Sequence, residues 1–140
     1  MKLQKAITSV IFVVLLSLIG HSQAAQQIST IDFIKINQPY NKEALYFYEN
    51  NWQVLREQAV KKGYIDSFML IEVPATSKAA FHLMLMTTYR NKEQFELREK
   101  NFSQLMSGST GPKLLNNVLP EQFRTMMFNK TSSTVVSSER

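Results

Sequence analysis

The 140-residue chain has no cysteine. That excludes disulfides, thiolate metal sites, a cysteine nucleophile and a lipid-modified cysteine. Histidine is almost as scarce, with two in all, His21 and His82. A zinc site built on several histidines is therefore not available to one subunit. Glycine and proline number four each and tryptophan one. There is no Gly-rich phosphate loop, no H-E-x-x-H, no G-x-S-x-G and no EF-hand pattern; "GSTG" (108–111) reads as a loop. Although the formal net charge is +5, no basic run exceeds the pair Lys61–Lys62. The sequence therefore carries no nucleic-acid footprint.

What is present begins with export. Lys2 and Lys5 form a basic start, "AITSVIFVVLLSLIG" (6–20) is an apolar run, and "HSQAAQQ" offers small residues at Ser22 and Ala24. This is a secretory signal pattern, with cleavage expected after Ala24. The apolar run falls short of the roughly 20 residues of a spanning helix, which speaks against a retained anchor. The expected location is secreted or periplasmic, with no stable membrane anchor after cleavage. Removal takes away His21 and lowers the net charge by two, and residues 25–140 have the length of one domain. The sequons at Asn101 and Asn129 carry no weight in a bacterial envelope protein.

The mature chain alternates between strand and helix patterns. "IDFIKIN" (31–37) reads as a first strand, with Ile34 and Ile36 on one face and Phe33 on the other. Asn41 is expected to cap a helix over "KEALYFYENNWQVLREQAVKK" (42–62), where Leu45, Tyr48, Trp52, Leu55 and Ala59 form an amphipathic stripe. Lys61 and Lys62 suit the negative helix end, and Gly63 the position that terminates it. "YIDSFMLIEV" (64–73) and "FHLMLMTTYRN" (81–91) read as a second and third strand joined by "PATSKA". Asn91, with Gln94 three residues on, predicts the cap of a second helix that buries Phe95, Phe102, Leu105 and Met106. "KLLNNVL" (113–119) predicts a helical turn or two before Pro120. "QFRTMMFNKTSSTVV" (122–136) predicts the last strand, with a polar tail from about residue 131.

The order β-α-β-β-α-β predicts an α+β, ferredoxin-like domain with a four-stranded antiparallel sheet and both helices on one face. Right-handed crossovers suggest that strands one and three lie side by side and parallel. The other face is then bare, and Met84, Met86, Phe68 and Leu70 are expected to share it. An apolar patch of that size predicts an interface, most simply with a second copy of the same sheet.

A Trp-bearing first helix ending in "KKGYI", the strand "FHLMLMTTY" and "RNKEQFELREKNF" opening the second helix resemble the dimeric α/β-barrel superfamily over residues 30–130. The resemblance implies sheet-to-sheet homodimers. It leaves function open among cofactor-free monooxygenases, haem-handling enzymes and small-molecule isomerases.

The residues able to hold or act on a ligand are Tyr48 and Trp52 on the first helix, His82, and Tyr89 at the end of strand three. Aromatics of this kind can line an apolar pocket with a few polar tips. Each also has a plainer reading: Tyr48 and Trp52 lie on the core stripe, and His82 suits an imidazole at a strand end bonded to a neighbour. The haem-degrading constellation of His, Asn and Trp does not map onto this chain. Asp32 and Asp66 fall on strands that strand three separates, so an acid–base pair would need one member from a partner subunit. The leading expectation is small-ligand binding, the ligand being apolar or aromatic, with no cofactor and no metal. The alternatives are a cofactor-free monooxygenase or isomerase acting on an aromatic small molecule, and a protein-interaction or structural module.

Overall fold

The computed structural model describes residues 26–74 and 80–134. The expected signal segment, most of the "PATSKA" connection and the end of the tail lie outside the described residues.

β1 (Ile28–Ile36) starts three residues before the expected strand, because Ile28 and Thr30 continue the β-branched run. Three helical segments follow end to end: α1 (Asn41–Phe47), π1 (Tyr48–Gln53, π-helical) and α2 (Val54–Lys61). Asn41 does not cap them. The chain turns helical one residue earlier, with Tyr40 at the cap and the Ala44 amide donating to its carbonyl at 3.0 Å. The Asn41 Oδ1 instead accepts from Gln38 Nε2 at 3.1 Å. The far end terminates as the sequence predicts. Gly63 has φ 69°, its amide donates to Val60 at 2.9 Å, and the Tyr64 amide donates to Ala59 at 2.8 Å. These two bonds satisfy carbonyls that the helix would otherwise leave open.

β2 (Ser67–Glu72) is shorter than expected, since Tyr64 to Asp66 serve the exit from α2, and β3 is Leu83–Tyr89. Asn91 caps α3 (Lys92–Glu96): its side chain accepts from the Gln94 amide at 2.9 Å. The Gln94 side chain reaches one residue further back than in the usual reciprocal cap and accepts from the Arg90 amide at 2.7 Å. α4 (Arg98–Met106) follows after a break at Leu97.

No helix forms over 113–119. Asn116 and Asn117 take left-handed φ angles of 54° and 57°, which a right-handed helix cannot use. Pro120 opens a helix rather than following one: α5 (Pro120–Phe123) has proline in its first turn. β4 (Arg124–Ser133) then carries residues 131–133, expected in the tail, as part of the sheet.

The strands lie in the order β2-β3-β1-β4, and every neighbouring pair is antiparallel. β1 and β3 are adjacent, as expected, but not parallel. The crossover makes β1 parallel to β2, and the chain reverses between β2 and β3, so the strand that enters the gap runs the other way. The layout is ferredoxin-like α+β.

Register decides the faces. Phe68 pairs with Thr87 and Leu70 with Leu85. Leu85, Leu83, Ile34, Ile36, Tyr48 and Phe123 make the main buried cluster beneath the helices, with Leu70 and Trp52 packed against it. Phe68 meets the Trp52 ring edge-on at 5.6 Å. Phe68 and Leu70 are thus on the helix side, not on the bare face as expected. Met69 and Ile71, opposite Met86 and Met84, share the bare face with Ile31 and Phe33. A second cluster of Ala59, Ile65 and Tyr89, with Phe95 and Phe102, seats α3 and α4.

Candidate functional site

A hollow of about 730 Å³ lies between the first helix, the end of α4 and the loop 108–113. Phe47, Trp52, Leu55, Leu105 and Met106 supply apolar wall, and Arg56, Arg124, Asn50, Asn51 and Gln58 supply polar lining. The π1 segment positions much of it. A π turn reaches back five residues rather than four and widens the helix. Here side-chain amides meet the carbonyls of the preceding turn: Asn50 Nδ2 donates to Tyr46 and Asn51 Nδ2 to Phe47, each at 2.9 Å. Asn51 does a second job. Its Nδ2 donates to the Lys113 carbonyl at 2.8 Å, and its Oδ1 accepts from the Lys113 amide at 2.7 Å. This two-point clamp straps residues 108–113 across the hollow. Gly111, at φ 106°, allows the strap its bend.

The two arginines are held by aromatic rings. The Arg56 guanidinium sits 4.8 Å from the Trp52 ring centre and 4.4 Å from that of Phe102, and Nε donates to Thr87 Oγ1 at 3.4 Å. Burial pulls its pKa below the ordinary arginine value, opposed by Tyr89 and by Asp32. Arg124 lies over Phe47 and Tyr48 and donates from Nη1 to the Tyr48 hydroxyl at 2.9 Å. Tyr48 is 1% exposed. Desolvation raises its phenol pKa, with the Arg124 bond and charge pulling the other way.

The four residues singled out from sequence do not converge. Trp52 lines the hollow. Tyr48 stands behind it and orients Arg124. His82 precedes β3 and knits strands: its Nδ1 accepts from the Ile36 amide at 2.9 Å, its amide donates to Ile34 at 2.8 Å, and its carbonyl accepts from Val73 at 2.7 Å. With Nδ1 used as an acceptor, Nε2 is the ring nitrogen left to donate. Tyr89 lies at the opposite end of β3, about 20 Å along the strand, buried against Phe95 with rings 5.3 Å apart. Its phenol is also pushed up by burial. Sequence reasoning missed Arg56, Arg124 and Asn51. Arg56 was within reach, because it stands four residues after Trp52 on the same helix face.

A smaller hollow of about 360 Å³ lies between Gly63 and Asn101. Two of its polar side chains are already engaged, Arg90 with Asp66 and Gln94 Nε2 with the Gly63 carbonyl. Among the described residues no group of three His, Cys, Asp or Glu could hold a metal ion, and no helix is long and apolar enough to cross a membrane.

No protein-family description and no curated protein matches the chain. Among solved structures it is similar to HapK from Hahella chejuensis, with 10% identity and a TM-score of 0.50 over 81% of this chain and 97% of HapK. It is also similar to a conserved protein of unknown function, a possible oxidoreductase, from Bacteroides thetaiotaomicron, with 15% identity and a TM-score of 0.48 over 79% of this chain and all of that one. At these identities the likeness to HapK speaks for the small α/β fold alone.

Proposed function

We propose that this chain is a small-ligand-binding protein whose ligand sits in the hollow beneath the 108–113 strap. One observation carries the reading: the protein's own side chains leave a hollow of about 730 Å³ with aromatic and aliphatic walls beside the core, under a loop clamped in place by Asn51. The volume is that of an ordinary small-molecule pocket, roughly 300–1,000 Å³. The reading is one of binding rather than turnover. The polar lining is amide, hydroxyl and guanidinium with one lysine, groups that hold a ligand and do not exchange protons readily near neutral pH.

Homodimerisation through the helix-free face accompanies this reading, supported by its exposed apolar side chains: Met69 is 46% and Phe128 42% accessible. Export to the periplasm or medium, with the signal removed, completes it.

The binding claim is tested with aromatic fragments and the indole N–H resonance of Trp52, the single tryptophan. Saturable shifts of that signal are expected. They should weaken at least several-fold when Val54→Phe and Met106→Phe, at exposed lining positions, narrow the hollow without touching the core. An indole signal that no fragment moves would refute the reading.

A further inference from the structure

Four arginines stand among the described residues: Arg56, Arg90, Arg98 and Arg124. The two outside the hollow are ion-paired, Arg90 with Asp66 at 3.3 Å and Arg98 with Glu99 at 3.4 Å. The two that line the hollow have no carboxylate within 4.0 Å among the described residues, although both are at least partly buried. A guanidinium taken out of water ordinarily finds an anionic partner. It carries five N–H donors, yet Arg56 places one on Thr87 and Arg124 one on Tyr48.

The surroundings sharpen the contrast. The lining contains neither Asp nor Glu, and Lys113 adds a third positive group from the strap. Asp32 acts on Arg56 through space but does not line the hollow. Both guanidinium planes are pinned on rings, so their donors are aimed before any ligand arrives, which lowers the entropic cost of using them. Apolar walls beside these cations suit a molecule with an aromatic body and one acidic end.

We infer that the hollow takes aromatic carboxylic acids, the carboxylate meeting Arg56 and Arg124 while the ring lies against Trp52 and Phe47. The inference rests on the ligand-binding reading above and adds the charge of the ligand to it. Donors left open in this way are ordinarily met by water before a ligand arrives. The acid displaces it, and no covalent bond is made or broken.

The test compares 1-naphthylacetate with 1-naphthylacetamide, two ligands of one shape that differ in charge. Both are titrated against the Trp52 indole resonance and the arginine Nε–H resonances. The acid is expected to bind about tenfold more tightly than the amide, because only the carboxylate adds the attraction of opposite charges to its hydrogen bonds with the guanidinium groups. The preference should shrink as salt is added. In an Arg56→Met, Arg124→Met variant it should fall to within about twofold. If that variant does not fold, the Arg56→Lys and Arg124→Lys single variants serve: charge stays, the fork geometry goes, and the preference should drop in each. Equal binding of acid and amide overturns the inference and leaves the ligand-binding reading standing. Acid preference untouched by every arginine change overturns it by moving the anion elsewhere. No response of Trp52 to either probe brings down both.

Discussion

Among the individual residues, two buried phenols shape the alkaline behaviour of the protein. Tyr48 and Tyr89 have phenol pKa values raised by burial. A raised folded-state value means that the folded protein holds these protons more tightly than the unfolded chain does. The associated stability is complete below the unfolded tyrosine value, near 10, and drains away as pH climbs through the folded values above it. In an absorbance titration near 295 nm, a late ionisation step from Tyr48 and Tyr89 is therefore expected together with loss of tertiary structure. Complete tyrosine ionisation in a protein that keeps its tertiary structure near pH 10 would contradict this. Residue by residue, sequence reasoning read the apolar chemistry well and the polar chemistry poorly. Trp52 and Tyr48 declared themselves by periodicity. Arg56 and Arg124 did not, because a charge on a helix or at a strand start usually reads as a solvated one, and only the surrounding rings make these two different. His82 was conspicuous by rarity, and its ring is taken up by a backbone amide.

The secondary-structure elements tell a similar story of pattern against local exception. The strand and helix order was legible from alternation and capping residues, and Gly63 and Asn91 act as predicted. The π1 segment was not legible, since its apolar stripe keeps the ordinary helical spacing and the widening is supported by Asn50 and Asn51, two residues that pattern alone assigns to solvent. The short α5 is not legible because the pattern before Pro120 suggests a helix that ends there, although proline also suits the first turn of one. The parity of β2 is not legible because both of its faces are apolar, and only pairing with β3 separates them. Asn51 gives the element-scale prediction. Its clamp on Lys113 is two hydrogen bonds, worth about 0.5–1.5 kcal/mol each. Asn51→Ala should speed amide exchange at Gly111 and Lys113 by about tenfold or more, with a small change in melting temperature because the core is untouched. Unchanged exchange in the strap would mean that something other than Asn51 holds it.

For the molecule as a whole, the central question is what covers the helix-free face. Phe33 stacks on Phe128 at 4.4 Å and meets Phe81 edge-on at 4.8 Å, and this aromatic cluster continues into Met84, Met86, Met69 and Ile71. Each such side chain left in water forfeits about 1.5–3 kcal/mol relative to burial. A second sheet packed on the first would recover much of that. Native mass spectrometry should find a dimer, and Ile71→Lys with Met84→Lys should yield a monomer with unchanged secondary structure. A wild-type protein that stays monomeric at micromolar concentration would leave the face to another partner. A dimer that persists in the double variant would place the interface elsewhere.

The pairing of β1 with β4 has a consequence of its own. Ile28 stands opposite Ser133, and the Thr134 amide donates to the Gln27 carbonyl at 3.0 Å. The two ends of the described fold therefore meet on one ladder, whose partners are separated by most of the chain. Loops that long make a ladder slow to find. Joined by a short tether, the same two strands would become a hairpin and the slowest contact would become local. The order in which the strands occur would then depend on where the backbone is opened, and circular permutants of this sheet are a natural way to ask which of its edges folding needs first.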